Sequence, residues 1–130
     1  MKFSEMPYKR IDIEEVEKEY KSIIERTKNA KSGEEQFEIH REYYKFTADV
    51  QTSMELAMIR HDIDTTDEFY EKESDFYDEV GPIISQYENE YGKVLYDSPY
   101  RDYLESKIGK VTFKNIEIAN KAFDEKIIPL

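Results

Sequence analysis

Between Ile59 and Glu79 the chain reads IRHDIDTTDEFYEKESDFYDE, a histidine followed by a run of carboxylates around two threonines. Oxygen ligands at that density invite a cation. Counted from Asp62, a calcium loop would draw on Asp62, Asp64, Thr66, Glu68 and Glu73, but its sixth position, where the tight turn wants glycine, is Asp67. The competing reading places Asp64, Asp67 and Glu68 at the amino end of a helix, where the helix dipole favours acids. Zinc finds no better footing. The two histidines, His40 and His61, each lack a second imidazole one helical turn away. His61 falls where a helix should end, and an imidazole there caps free carbonyls or packs at the turn. The chain has no Gly-rich phosphate loop, no nucleophile elbow and no spaced Ser/His/Asp set. No catalytic, cofactor-binding or metal-binding residue is therefore assigned.

One acid stands out for a different reason. The stripe Phe69, Glu73, Phe76, Val80, Ile83, Tyr87 sets a carboxylate where an apolar side chain is expected. A buried acid needs a partner or its proton. Arg60, back across the turn, is the expected partner, giving a buried structural ion pair of Glu73 with Arg60. The eleven tyrosines recur at helical spacing, so they read as a core with wet edges and hydroxyls reaching water, not as a stacking site for a ligand.

The elements that must position these residues are helices. After Asp12, a plausible N-cap, Ile13, Val16, Tyr20, Ile23, Ile24 and Thr27 share one face. Ser32 and Glu35 have capping-box spacing and open a second helix, expected over about 34–62. Thr65 and Glu68 repeat that spacing and open a third, expected over 66–96, with Gly81-Pro82 as a kink inside it because the apolar period resumes in phase. Asp97-Ser98-Pro99 starts a short helix, with Pro99 at its first position, and Gly109 ends it. A further helix runs over about 110–123, and Asp124 looks like the cap of another. The fold class is all-α: a long antiparallel helical hairpin with flanking shorter helices. A helix of about 30 residues is roughly 45 Å long, whereas a compact chain of this size is about 36 Å across. With Tyr44 and Phe46, or Tyr70, Phe76 and Tyr77, pointing to more than one side, the hairpin reads as part of a larger helical protein.

Bulk properties narrow the rest. Of 130 residues, 38% are hydrophobic and 38% charged, so apolar stripes are available but no thick core. The net charge is −11, and Asp62 to Glu90 alone holds eleven acids against Lys72. Such a surface repels phosphate backbones, which disfavours nucleic acid. There is no cysteine for a disulfide or thiolate site. No apolar run approaches the roughly 18 residues of a membrane span, and the amino end has no apolar leader, so the expected location is cytoplasmic.

The segment LAMIRHDIDTTDEFYEKESDFYDEVGP, from Leu56 to Pro82, resembles the amino-terminal region of the oligoendopeptidase F family, zinc metallopeptidases related to thimet oligopeptidase. The opening KFSEMPYKRID and the later DSPYRDYLESKIGKVTFKNIEIANKAF follow the same family start, in order. The resemblance implies that residues 1–130 are the amino-terminal helical region of a longer metallopeptidase that hydrolyses oligopeptides in an internal channel. It implies a noncatalytic role in the channel wall or lid. The zinc, held in that family by a His-Glu-x-x-His helix and a later glutamate, would belong to the parent enzyme. This sequence contains no His-Glu-x-x-His, so no catalytic or metal residue carries over. The implied partners are the remainder of the peptidase and, in the parent, an oligopeptide. The rival reading is a stand-alone acidic helical adaptor that self-associates.

Overall fold

The computed structural model describes residues 10–63 and 68–124, with side chains described for 10–53, 55–56 and 72–122. The described residues form α1 (Ile13–Asn29), α2 (Gly33–Ile63), α3 (Glu68–Tyr96), α4 (Arg101–Ile108) and α5 (Lys110–Asp124), with no strand among them. The all-α class and the long hairpin of α2 and α3 stand. Thr65 and the residues after Asp124 lie outside the described residues, as do the side chains of Arg60, His61 and Glu68.

Helix starts follow local chemistry. The Asp12 carboxylate accepts the free N–H groups of Glu14 and Glu15 at 3.1 and 3.4 Å, which fixes the first turn of α1. Ser32 Oγ accepts the Glu35 N–H at 3.1 Å. Glu35 reaches back in return, but to the Lys31 N–H at 2.9 Å, one residue earlier than a capping box takes. Gly33 opens α2 because a Cβ there would lie 2.6 Å from Cδ1 and 2.9 Å from Cγ of Tyr103. Only a bare backbone lets α4 come that close.

α3 runs unbroken through Gly81-Pro82. Proline offers no N–H to the carbonyl four residues back, at Asp78. Asp78 is exposed, so water can fill that role. The start of α4 departs from expectation. Pro99 is not its first residue; the helix begins at Arg101, with no side-chain cap at Tyr100. Ser98 explains the delay: its Oγ accepts the Tyr100 N–H at 3.0 Å and its carbonyl accepts the Arg101 N–H at 3.2 Å, a closed turn ahead of the helix. Gly109 ends α4 as expected, at φ 106°, a conformation that side chains resist.

α1 covers the hairpin. Its first half packs Val16 and Tyr20 on Val50, Val80 and Ile84; its second half packs Ile23 and Ile24 on Ile39, Tyr91, Leu95, Leu104 and Phe113. The order makes α1 antiparallel to α2 and parallel to α3. Much of the aromatic perimeter that the hairpin could not shield alone is thus shielded within the chain: Phe46, Phe76 and Tyr77 pack against the Tyr20 cluster. Tyr44 does stay outside, 73% exposed. α5 folds back along α3, with Ile116 Cγ2 3.2 Å from where a Gly92 Cβ would sit.

One buried polar chain locks the base of the hairpin. Thr27 Oγ1 donates to the Ile23 carbonyl at 2.7 Å and Gln36 Nε2 to the Thr27 carbonyl at 2.9 Å. Ser98 Oγ then donates to Gln36 Oε1 at 2.5 Å. The end of α1, the start of α2 and the α3–α4 turn are tied by side chains that are all buried, where an unmade bond is expensive.

Candidate functional site

The periodicity that brings Tyr20 to the buried face of α1 drives it between α2 and α3. Its ring meets Phe46 edge-on at 4.9 Å and stacks on Tyr87 at 5.3 Å. Beside it, Tyr43 stacks on Tyr91 at 3.8 Å, and His40 lies parallel to Tyr91 at 6.0 Å. Burial, and after it the Glu88 charge, pushes the Tyr20 hydroxyl far above its usual range; burial does the same at Tyr91. These hydroxyls keep their protons and act as donors.

The tyrosines therefore spend their hydroxyls on specific partners. Tyr20 donates to Glu88 Oε1 at 3.3 Å and Tyr87 to Glu17 Oε1 at 3.2 Å. The Tyr91 oxygen lies 2.8 Å from His40 Nδ1. Burial lowers the His40 pKa, which favours the neutral imidazole, and its Nδ1 shares this hydrogen bond with the Tyr91 hydroxyl.

On the side of α3 away from most of α1, the chain leaves a trough. Its larger part, of about 710 Å³, lies between α2 and α3 and is lined by Tyr20, Tyr43, Gln51, Glu55, Ser85 and Glu88, among others. A smaller part, about 190 Å³, continues between α3 and α5 past Asn89 and Asn120 and shares Ser85 and Glu88 with the first. Partial burial of the carboxylate raises the Glu88 pKa, with the hydrogen bond from Tyr20 pulling the other way. Among the described residues, no lysine or arginine lines either part. Asn89 Oδ1 is buried and has no hydrogen-bond partner among the described residues.

Glu73, singled out in the apolar stripe of α3, is 6% exposed. Arg10 grips it with two bonds, Nη2 to Oε1 at 2.7 Å and Nε to Oε2 at 3.1 Å, and lies 4.4 Å over the Phe76 ring. The expected partner, Arg60, falls among the residues whose side chains are not described. Arg10 gave no sequence signal, because 63 positions separate it from Glu73. Glu88 gave none either; it is one acid among many until Tyr20 is seen to reach it.

The described residues do not fit a zinc ion. No three His, Cys, Asp or Glu side chains among them converge as a metal site, and His40 already commits Nδ1 to Tyr91. None of the described helices is long and apolar enough to cross a membrane.

Comparison with known proteins supplies what the geometry does not. Residues 3–123 match the profile of the peptidase M3 N-terminal domain. Among solved structures, Pz peptidase A, determined with an inhibitor, is 40% identical with a TM-score of 0.87, over 93% of this chain and 22% of that one. A structure from Bacillus anthracis str. Ames, described as an oligoendopeptidase F, is 38% identical with a TM-score of 0.87, over 94% of this chain and 22% of its own. A further structure described as an oligoendopeptidase F is 37% identical, again with a TM-score of 0.87 and 22% of that chain covered. Among curated proteins no match was found. The chain spans about a fifth of the length of the solved structures it matches, 22% in each case.

Proposed function

The chain belongs to the family of peptidase M3 N-terminal domains, and from that premise we propose that it serves as the noncatalytic helical part of an oligoendopeptidase F-like zinc metalloendopeptidase. In this reading its helices form part of the wall or lid of a channel in which oligopeptides are cut. The zinc and the water it activates belong to another part of the enzyme, and the whole works in the cytoplasm.

The observation that carries the proposal is the likeness to Pz peptidase A, 40% identical over 93% of this chain yet matching only 22% of that one. At that identity the two helical units do corresponding structural work. The packed aromatic core of Tyr20, Tyr43, Tyr87 and Tyr91 suits a wall, since it holds long helices in register.

Incubating the 130-residue chain with zinc and a quenched fluorescent oligopeptide tests the noncatalytic role. No turnover is expected. Cleavage that stops on adding a chelator would overturn the proposal.

A further inference from the structure

The trough over α3 is lined on one side by α2 and on the other by α5, both of which pack on α3. Neighbouring packed helices lie about 8–10 Å apart, so a slot flanked this way has the width of one more segment of chain. Its chemistry is one-sided. Glu55 and Glu88 face it, Asn89 brings a buried oxygen without a donor among the described residues, and none of the described side chains that line it is cationic. The apolar part of its lining, Tyr43, Val50, Ile84 and Ile116, favours a side chain with a greasy stem.

We propose that this trough is the docking site for a lysine- or arginine-bearing segment of the peptidase's catalytic part. This rests on the reading of the chain as one portion of a longer enzyme, and it names the surface and the charge by which the portions join. A long basic side chain matches both features: its methylenes lie along the partly exposed Tyr43 ring while its head supplies a donor to Asn89 and a counter-charge to Glu88. The chain's net charge of −11 favours such an occupant over an acidic one. A free substrate peptide with a basic residue would satisfy the same donors, so the test must separate the two.

The absence of cysteine makes that test clean. Gln51, exposed at the trough, and Ser22, exposed on α1, are each changed to cysteine. The variants are prepared as the isolated chain and as a chimera in which this chain replaces the matching fifth of Pz peptidase A. Maleimide labelling at each site is followed by peptide mass. The proposal expects Gln51→Cys to label at least about tenfold more slowly in the chimera than in the isolated chain, with Ser22→Cys unchanged. Adding Glu88→Lys to the chimera should restore labelling at Gln51→Cys. If an active chimera labels Gln51→Cys as fast as the isolated chain, the docking site is wrong while the proposed function survives. If an arginine-containing hexapeptide alone protects Gln51→Cys in the isolated chain, the trough is a substrate site and the docking proposal falls. A chimera that folds but cleaves no peptide counts against the proposed function itself, and the docking falls with it.

Discussion

Arg10 and Glu73 stand 63 positions apart, yet the guanidinium closes on the buried carboxylate with bonds of 2.7 and 3.1 Å. The pair clips the chain ahead of α1 to the far part of the hairpin, where Glu73 interrupts an apolar stripe. Removing Arg10 would take two bonds from a carboxylate that is only 7% exposed, although the 45% exposure of Arg10 moderates the loss. Arg10→Ala is expected to destabilise the chain by about 1–3 kcal/mol in urea unfolding. Glu73→Gln should also destabilise, and the double variant should lose less than the two singles combined. Purely additive losses would show that the two side chains do not act as a pair. A parallel cycle with Arg60 would show whether that residue, the expected partner, shares the site.

The buried chain from Thr27 through Gln36 to Ser98 makes a second prediction. Ser98→Ala leaves Gln36 Oε1 and the Tyr100 N–H without their present partner, so a loss of about 1–3 kcal/mol is expected. Gln36→Leu abandons both of its bonds but supplies apolar volume. Combining it with Ser98→Ala should therefore cost less than the separate losses together. Thermal melts of the four proteins check this, and full additivity would contradict it.

Gly33 predicts a steric coupling. Its absent Cβ would fall 2.6 Å from Tyr103 Cδ1 and 3.1 Å from Tyr103 Cβ, too near the root of the side chain to be relieved by a rotamer change. Gly33→Ala should destabilise by about 1–3 kcal/mol. In a Tyr103→Ala background the same change should cost markedly less, because only the 3.1 Å approach to the remaining Cβ is left and alanine is the better helix former. A penalty unchanged by Tyr103→Ala would mean the close approach is not the cause.

His40 and Glu88 give opposite pH dependences. Burial lowers the His40 pKa from its usual 6.5, so the unfolded chain takes up that proton more readily. Stability from this site is complete above pH 6.5 and is lost as pH falls through the depressed folded value. Glu88 has its pKa raised from 4.5. Its contribution is complete below that value and is lost as pH rises through the elevated folded one. His40→Asn, whose side-chain amide can still hydrogen-bond with Tyr91, should flatten the stability profile just below pH 6.5. Glu88→Gln should flatten it on the acid side. Urea midpoints at stepped pH measure both, and a His40→Asn profile that parallels the parent just below pH 6.5 would remove the histidine from the account.

Local features were legible from the residues alone. Asp12 caps α1, the three-or-four spacing of Val16, Tyr20, Ile23, Ile24 and Thr27 marks its buried face, and Gly109 ends α4, because each depends on neighbours within a turn or two. What escaped depends on distant parts of the chain. Arg10 meets Glu73, and Ser98 meets Gln36 across 62 positions, only once three helices have packed. The later start of α4 has the same origin, since Ser98 is held by a bond to α2 as well as by its own turn. The cover that α1 gives the aromatic faces of the hairpin was hidden because spacing shows which residues share a face, not which helix lies against it. The trough was hidden too, since it exists only between α2 and α5 once both rest on α3.

The chimera with Pz peptidase A gives the most direct measurement of the account. Folded and loaded with zinc, it should hydrolyse a quenched fluorescent oligopeptide in a chelator-sensitive way, whereas this chain alone should not. A folded, zinc-loaded chimera without turnover, or chelator-sensitive cleavage by the isolated chain, would contradict it.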